Sequence, residues 1–230
     1  MRPTRKLLFG LTQTGMRISA MTLCTTLLLG LAGCGGSSPD LEASNATARS
    51  ELEHFFLRFR QKVQENKTDS LVGDLSRETL AWIQDIRDAA RNEPLNFLRD
   101  RSFSQALCIL ALRVERRVHP EFDDRPVGIL EKLVVQSAPV RKTLLKTDLG
   151  EPVVRGNTGE MGLREAPNVP VFYFTKENGA WKFHLAKSLP LILQGAESLA
   201  RQRKPTPLEQ AEFILEKFGG RQVLPEDLFQ

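Results

Sequence analysis

The first half of the chain carries apolar residues at helical spacing. Between about residues 43 and 66 they recur every three or four positions, which predicts one amphipathic helix with an apolar face of Leu52, Phe55, Phe56, Phe59 and Val63. Ser76 is placed to cap a second helix. A third helix is expected over about 104–117, ended by His119-Pro120, and a short fourth over 126–135.

The period then changes from 3.6 to 2, which predicts a sheet with strands at about residues 143–155, 157–164, 169–176 and 180–186. Asn178-Gly179, between the last two strands, is a strong signal for a hairpin turn. With that turn, Phe174 faces Phe183 and Phe172 faces Leu185. One face of the hairpin is therefore apolar: Phe172, Phe174, Phe183 and Leu185, with Trp181 at its end.

The other face of the hairpin places Tyr173 opposite His184. Such a pair is a candidate for proton transfer, but it would lie away from the helices, and an ordinary half-exposed sheet face is the simpler interpretation. Two further helices are expected over 189–203 and from Thr206-Pro207 to Gly219, followed by an apolar tail that should dock on the domain or on a partner. The pattern predicts an α+β fold, with N-terminal helices on a curved, mainly antiparallel sheet and with C-terminal helices.

The N-terminal segment ends in Leu31-Ala32-Gly33-Cys34, behind a short apolar stretch and the basic residues Arg2, Arg5, Lys6 and Arg17. The apolar stretch, about residues 18–31, is too short and too polar to span a bilayer, which needs ~20 apolar residues. It resembles the signal of a bacterial lipoprotein. That resemblance implies cleavage before Cys34, acylation of Cys34, and anchoring in the cell envelope. Gly35 after the cysteine favours the outer membrane, facing the periplasm, where the cell has one.

These features divide the chain into a signal peptide over 1–33, a flexible tether over 34–44, a cone-like α+β domain over 45–204, and a C-terminal helix with a docking tail over 205–230. Met16 is a second candidate start, because the segment from Met16 would by itself form a signal of ordinary length.

Charge excludes a nucleic-acid partner once the signal is removed. Residues 1–33 contain four basic residues and no acidic ones, so the mature chain has 28 of each and a formal net charge of zero. A nucleic-acid interface needs a basic excess on the folded domain. The local run of Arg113, Arg116, Arg117 and His119 is expected to be a solvated helix end.

No catalytic or metal-binding motif emerges from the spacing. The mature chain keeps Cys108 as its one cysteine that is not an acylation candidate, and this residue lies in an apolar run, which predicts a buried side chain. His54, His119 and His184 are far apart and lack the spacing of metal ligands. Gly156, Gly159 and Gly162 are expected at turns and bulges rather than in a nucleotide loop. No metal or cofactor is therefore predicted.

The run Val171-Phe172-Tyr173-Phe174-Thr175-Lys176-Glu177-Asn178-Gly179-Ala180-Trp181-Lys182-Phe183, after a helical first half, resembles the closing hairpin of the nuclear-transport-factor-two-like superfamily. The resemblance covers about residues 45–200, and the long helical stretch over 94–135 departs from the simplest members. It implies a cone-shaped α+β fold, which hosts ketosteroid isomerases, polyketide cyclases and scytalone dehydratase as well as non-catalytic binding modules.

An enzyme of this fold would need a titratable group inside the cone, and the predicted interior face is apolar. We therefore expect a membrane-anchored, non-catalytic module whose cavity is lined by Phe172, Phe174, Trp181, Phe183 and Leu185. Its expected partners are the membrane, a small hydrophobic ligand or another envelope protein, and a second copy of the chain. The alternative is a small isomerase, dehydratase or cyclase acting on a hydrophobic substrate.

Overall fold

The computed structural model describes residues 39–229 and the side chains of residues 43–228. This part of the chain belongs to one compact unit with its own apolar core. Its helices are α1 (Pro39–Gln64), α2 (Thr68–Val72), α3 (Arg77–Asn92), α4 (Leu95–Leu98), α5 (Phe103–Val118), α6 (Pro126–Leu130), α7 (Ala138–Lys146), α8 (Leu185–Ile192), α9 (Gln194–Arg201), α10 (Pro207–Gly219) and α11 (Pro225–Phe229). A π-helical turn, Glu131–Val135, continues α6.

The sheet has four strands, β1 (Val153–Arg155), β2 (Thr158–Leu163), β3 (Ala166–Glu177) and β4 (Ala180–Phe183). They pair antiparallel in the order β1-β2-β3-β4. Helices that pack on this sheet confirm the predicted α+β class, with C-terminal helices after the last strand. The resemblance to the nuclear-transport-factor-two-like superfamily stays a prediction.

The predicted hairpin is confirmed together with most of its register. Glu177 pairs with Ala180 and Phe174 with Phe183. Asn178 and Gly179 both have positive φ, 51° and 78°, as a two-residue turn of type I′ requires. The predicted pairing of Phe172 with Leu185 is wrong, because β4 ends at Phe183 and Leu185 is the first residue of α8.

Helix α1 covers the apolar face of the hairpin and fills the space beneath it. The ring of Phe56 lies 4.9 Å from that of Phe172 and 5.0 Å from that of Phe174, and Phe59 lies 4.8 Å from Phe183. All five rings are buried. The helix begins at Pro39, so residues 39–44, expected in the tether, are helical.

Helix α5 is enclosed by other helices and carries a buried arginine. Arg113 donates hydrogen bonds to the carbonyls of Ala89, Ala90 and Glu93, where α3 ends, and to those of Asp227 and Leu228 in α11. Burial lowers the pKa of this guanidinium. The expected solvated helix end is thus wrong for Arg113, which is 1% exposed.

Arg117, one turn further along, supports the same contact between α5 and the tail. It donates to the Asp227 carboxylate at 2.9 Å, and that carboxylate also accepts from the backbone of Leu224 at 2.8 Å. The tail, expected to dock on the domain or on a partner, contacts the domain here, with a buried charged contact at its centre.

Two further elements differ from the expectation. Residues 143–146, expected in a strand, belong to α7, which buries Val140 and Leu144 one turn apart. The helix expected over 189–203 begins earlier, at Leu185, and is divided into α8 and α9 around Leu193. His184 caps α8 and its ring accepts from the backbone of Lys187, which explains why the strand stops before it.

Candidate functional site

A cavity of about 280 Å³ lies between α5, α8, α10 and the turn that leads into α7. Most of its wall is aliphatic, and Phe218 at its edge is 54% exposed, so the cavity meets solvent there. Its lining comprises Leu107, Cys108, Ala111, Val114, Glu115, Lys132, Leu133, Gln136, Ser137, Ala138, Pro139, Val140, Leu189, Leu193, Ile214, Leu215, Phe218, Gly219 and Arg221. Apolar walls with a few polar groups are typical of small-molecule sites.

The π-helical turn shapes one wall of this cavity. The turn is wider than an α-helical turn, and the Gln136 backbone N–H closes it by donating to the Glu131 backbone carbonyl at 2.8 Å. Lys132 and Leu133, both within the turn, contribute to the lining. Such turns occur often at functional sites, because they redirect side chains that a regular helix would place elsewhere.

Glu115 is the buried charge of the site. Its side chain is 9% exposed, and its Oε2 atom lies 2.6 Å from Lys132 Nζ and 3.4 Å from an Arg221 nitrogen. Oε2 is enclosed but makes no aligned hydrogen bond within the described residues, so these contacts are ionic rather than directional. His119, 3.7 Å from Oε1, is 44% exposed and lies at the outer side of the cluster.

Arg221 reaches Glu115 because of the way α10 ends. Gly220 follows the helix with φ 61°, a left-handed conformation that glycine adopts without steric cost. The chain therefore reverses there and directs the next side chain back toward α5. The result is a cluster of ion pairs that joins α5, the π-helical turn and the end of α10.

Cys108 forms part of the cavity wall and is buried, as predicted. Burial raises the pKa of its thiol to about 12. The group is thus protonated at neutral pH, and a thiolate nucleophile is not formed there.

The five residues expected to line a cavity are instead part of the core. Phe172, Phe174, Phe183 and Leu185 are at most 2% exposed, and α1 occupies the space that an open cone would leave. Trp181 is 5% exposed and borders a different feature, an open groove of about 810 Å³ between α1 and β4. Leu31, Ala32, Gly33 and Cys34, the expected cleavage and acylation site, lie outside the described residues.

The groove beside Trp181 is polar and wide. The indole Nε1 is buried without a hydrogen-bond acceptor in the part of the chain that the structure describes. Lys176 lies over the ring, 5.6 Å from its centroid, and pairs with Glu51 of α1 at 2.8 Å. The groove therefore presents charged pairs around one buried donor.

Tyr173 and His184 do not form a proton-transfer pair. Their backbones are joined, since the His184 amide donates to the Tyr173 carbonyl at 2.8 Å. The His184 ring turns instead toward Glu78, with Nε2 and Oε2 2.6 Å apart. The Tyr173 ring lies 3.9 Å below Lys187 Nζ, and burial together with Glu160 raises the pKa of its hydroxyl.

The cavity can hold the apolar part of a ligand. A negatively charged head on that ligand would then lie beside Lys132 and Arg221. Sequence reasoning missed Glu115, Lys132 and Arg221, because they are far apart in the chain and each occurs in an ordinary helical context. The π turn has no signal in the periodicity either, since 126–135 was expected as one short helix and is helical throughout.

None of the helices in the described range is long and apolar enough to cross a membrane. Compared with known proteins, the chain matches no family model, no curated protein and no solved structure.

Proposed function

We propose that this chain is a non-catalytic binding module of the bacterial cell envelope, held at a membrane by acyl groups on Cys34, and that its cavity takes a small hydrophobic ligand. The observation that carries the binding function is the apolar cavity beside Glu115, Lys132 and Arg221. Ligand pockets usually measure ~300–1,000 Å³, so a cavity of about 280 Å³ lies just below that range and fits only a small ligand.

The anchor part of the proposal rests on residues 31–34 and on the charge balance of the mature chain. A domain with 28 basic and 28 acidic residues has no net attraction to anionic lipid. Acyl groups would therefore supply the attachment, and the module would present its cavity near a membrane, where hydrophobic small molecules partition.

One observation favours the alternative of a small acid-base enzyme. Glu115 is a buried carboxylate at the edge of an apolar cavity, which is where a general base would be expected. Its two cationic neighbours argue against that role, because both already engage this carboxylate in ion pairs, which is a structural task. We therefore assign Glu115 to binding.

The test uses residues 38–230, which form one compact unit. The neutral dye N-phenyl-1-naphthylamine is titrated into this fragment, and native mass spectrometry reports any molecule retained from expression. Ala111→Phe places a ring in the cavity, whereas Ala43→Phe adds the same ring to the exposed start of α1 and serves as the control.

We expect micromolar dye binding by the parent and by Ala43→Phe, and a loss of at least about tenfold for Ala111→Phe. Circular dichroism establishes that each variant is folded, and Leu215→Phe provides a second cavity block if Ala111→Phe is not. A parent that neither binds the dye nor retains a molecule would overturn the proposed function, as would a folded Ala111→Phe that binds like the parent.

A further inference from the structure

We infer that the ligand of this cavity is an aliphatic monocarboxylate, whose head is bound by Lys132 and Arg221 and whose chain occupies the apolar wall. The inference rests on the proposed function and adds the chemical class of the ligand. Four properties of the site support it: the charge count, the unused donors, the start of α7, and the size of the cavity.

The charged cluster holds more positive than negative charge. Lys132 and Arg221 both pair with Glu115, and neither pairs with another carboxylate within the described residues. Side chains of Lys132 and Arg221 are only 20% and 30% exposed, so solvent screens the extra charge incompletely. One further carboxylate would give two anions for two cations. A neutral ligand leaves the imbalance, and an ammonium ligand increases it.

Both cations keep hydrogen-bond donors for such a head group. Lys132 has three, of which one is directed to Gln136 Oε1 at 3.2 Å and one approaches Glu115. Arg221 has five, and a guanidinium can bind a carboxylate through two parallel hydrogen bonds. Glu115 then acts as the group that holds the two cations together at one end of the cavity.

The start of α7 adds to the positive potential of the same site. Ser137, Ala138 and Val140 are part of the lining, and the Ser137 side chain does not cap the helix. The N-terminus of α7 therefore borders the cavity, and the positive end of its helix dipole favours an anion there, although Pro139 in the first turn has no backbone N–H to donate. This contribution supports the pair of cations and would not define a site alone.

Cavity size sets the length of the chain. A water molecule occupies ~30 Å³ of liquid, so 280 Å³ accommodates about nine groups of that size. An aliphatic monocarboxylate of about eight to ten carbons in all fits, with its carboxylate at the cations and its remaining carbons in the cavity, and each buried methylene is expected to raise affinity about fourfold until the cavity is full.

The experiment compares three ligands with one chain and different heads: decanoate, decan-1-ol and decylamine. Each displaces N-phenyl-1-naphthylamine from the fragment 38–230 at pH 7.5, at concentrations below the micelle concentrations of decanoate and decylamine and below the solubility limit of decan-1-ol. We expect decanoate to bind at least about tenfold more tightly than decan-1-ol, and decylamine to bind more weakly still. The preference should shrink as salt is raised, because the cations are partly exposed.

Variants assign the preference to the two cations. Arg221→Met should reduce decanoate affinity toward that of decan-1-ol and leave decan-1-ol unchanged, and Arg221→Lys should restore part of the difference. Lys132→Met is the second variant, and Arg155→Met, at a side chain that is 73% exposed, is the control.

Equal binding of decanoate and decan-1-ol to the parent would overturn the monocarboxylate inference and leave the proposed function standing. A preference for decylamine would also overturn it and would make Glu115 the recognition group. Failure of all three ligands, together with failure of the dye, would instead reject the proposed function itself.

Discussion

Gly159 in β2 lies under α1, where there is no room for a side chain. A Cβ atom at this position would lie 2.4 Å from Leu52 Cδ2 and 3.2 Å from Trp181 Cζ3. Leu52 and Trp181 are both buried, so neither can move aside freely. Glycine is required here by the approach of a helix, whereas Gly156 is required by the turn between β1 and β2, where φ is 60°.

Gly159→Ala should therefore destabilise the fold by about 1–3 kcal/mol, the usual cost of overpacking a core. Urea denaturation of the fragment 38–230 measures the change in the free energy of unfolding. Gly195→Ala is the matched control, because its Cβ would meet no atom within 4 Å in α9. It should be neutral or stabilise by about 0.5 kcal/mol, since alanine favours helix. Equal stability of the two variants would show that α1 does not pack as described.

Some residue-level features were accessible from local sequence and others were not. Asn and Gly both adopt positive φ readily, so the pair Asn178-Gly179 by itself predicted the turn, the hairpin and most of its register. Gly162 was expected at a bulge, and the pairing of β2 with β3 does shift there. Gly159 was expected in the same class, but its constraint comes from Leu52, which is distant in the chain, and local sequence carries no signal for it.

At the scale of elements, α5 and α11 are joined through Arg113. This side chain connects the end of α3 to the C-terminal tail by donating to carbonyls in both. The carbonyls at the end of a helix lack partners within it, so Arg113 supplies bonds to the Ala90 and Glu93 carbonyls, whereas the Ala89 carbonyl also accepts from the Glu93 backbone amide. The tail is thereby fixed to α3 and α5.

Arg113→Met should cost about 3–5 kcal/mol, because several buried carbonyls lose their donor. Removal of residues 222–230 takes away the Asp227 and Leu228 carbonyls that accept from Arg113, and it also removes the Arg117–Asp227 pair. The two changes together should cost clearly less than the sum of the separate costs. Urea denaturation of the two single variants and the double variant measures this coupling. Strict additivity would contradict a shared contact.

Helices with strong local signals were predicted at this scale, and some short ones, α7 among them, were missed. Helix α5 has ten buried residues, and α10 begins with a capping box. Both helices were therefore predicted from the sequence. Helix α7 is short, and its two buried residues, Val140 and Leu144, are compatible with either period. Its packing against α1 and the π turn decides its structure, and tertiary contacts of this kind override local preference.

At the scale of the whole molecule, the candidate site is assembled from parts that are distant in the sequence. The fold class follows from the order of helical and strand patterns, which is why it was predicted. The cavity depends on how α5, α7, α8 and α10 meet, and the cluster of Glu115, Lys132 and Arg221 exists only after they have met. Charged residues on helices are usually solvated, so the local pattern carried no signal for this cluster.

The anchor is the remaining whole-molecule prediction. Cys34→Ala should abolish acylation, because the thiol that receives the lipid is absent. Mass spectrometry of the N-terminal peptide from bacterially expressed full chain should show an acylated Cys34 in the parent and no acylated peptide in the variant. Cys24→Ala, within the apolar stretch of the expected signal, is the control and should leave acylation unchanged. An unmodified Cys34 in the parent would reject the anchor.

Cys108 offers a chemical measurement of whether the cavity is occupied. It is the one cysteine of the fragment 38–230, its thiol lies in the cavity wall, and burial keeps it protonated at neutral pH. Because the thiolate is the species that is alkylated, a small alkylating reagent should react very slowly at neutral pH and faster as the pH is raised toward the pKa of the thiol. At a fixed raised pH, a ligand that occupies the cavity should slow the reaction further, and a single mass increase records the reaction without any attached dye.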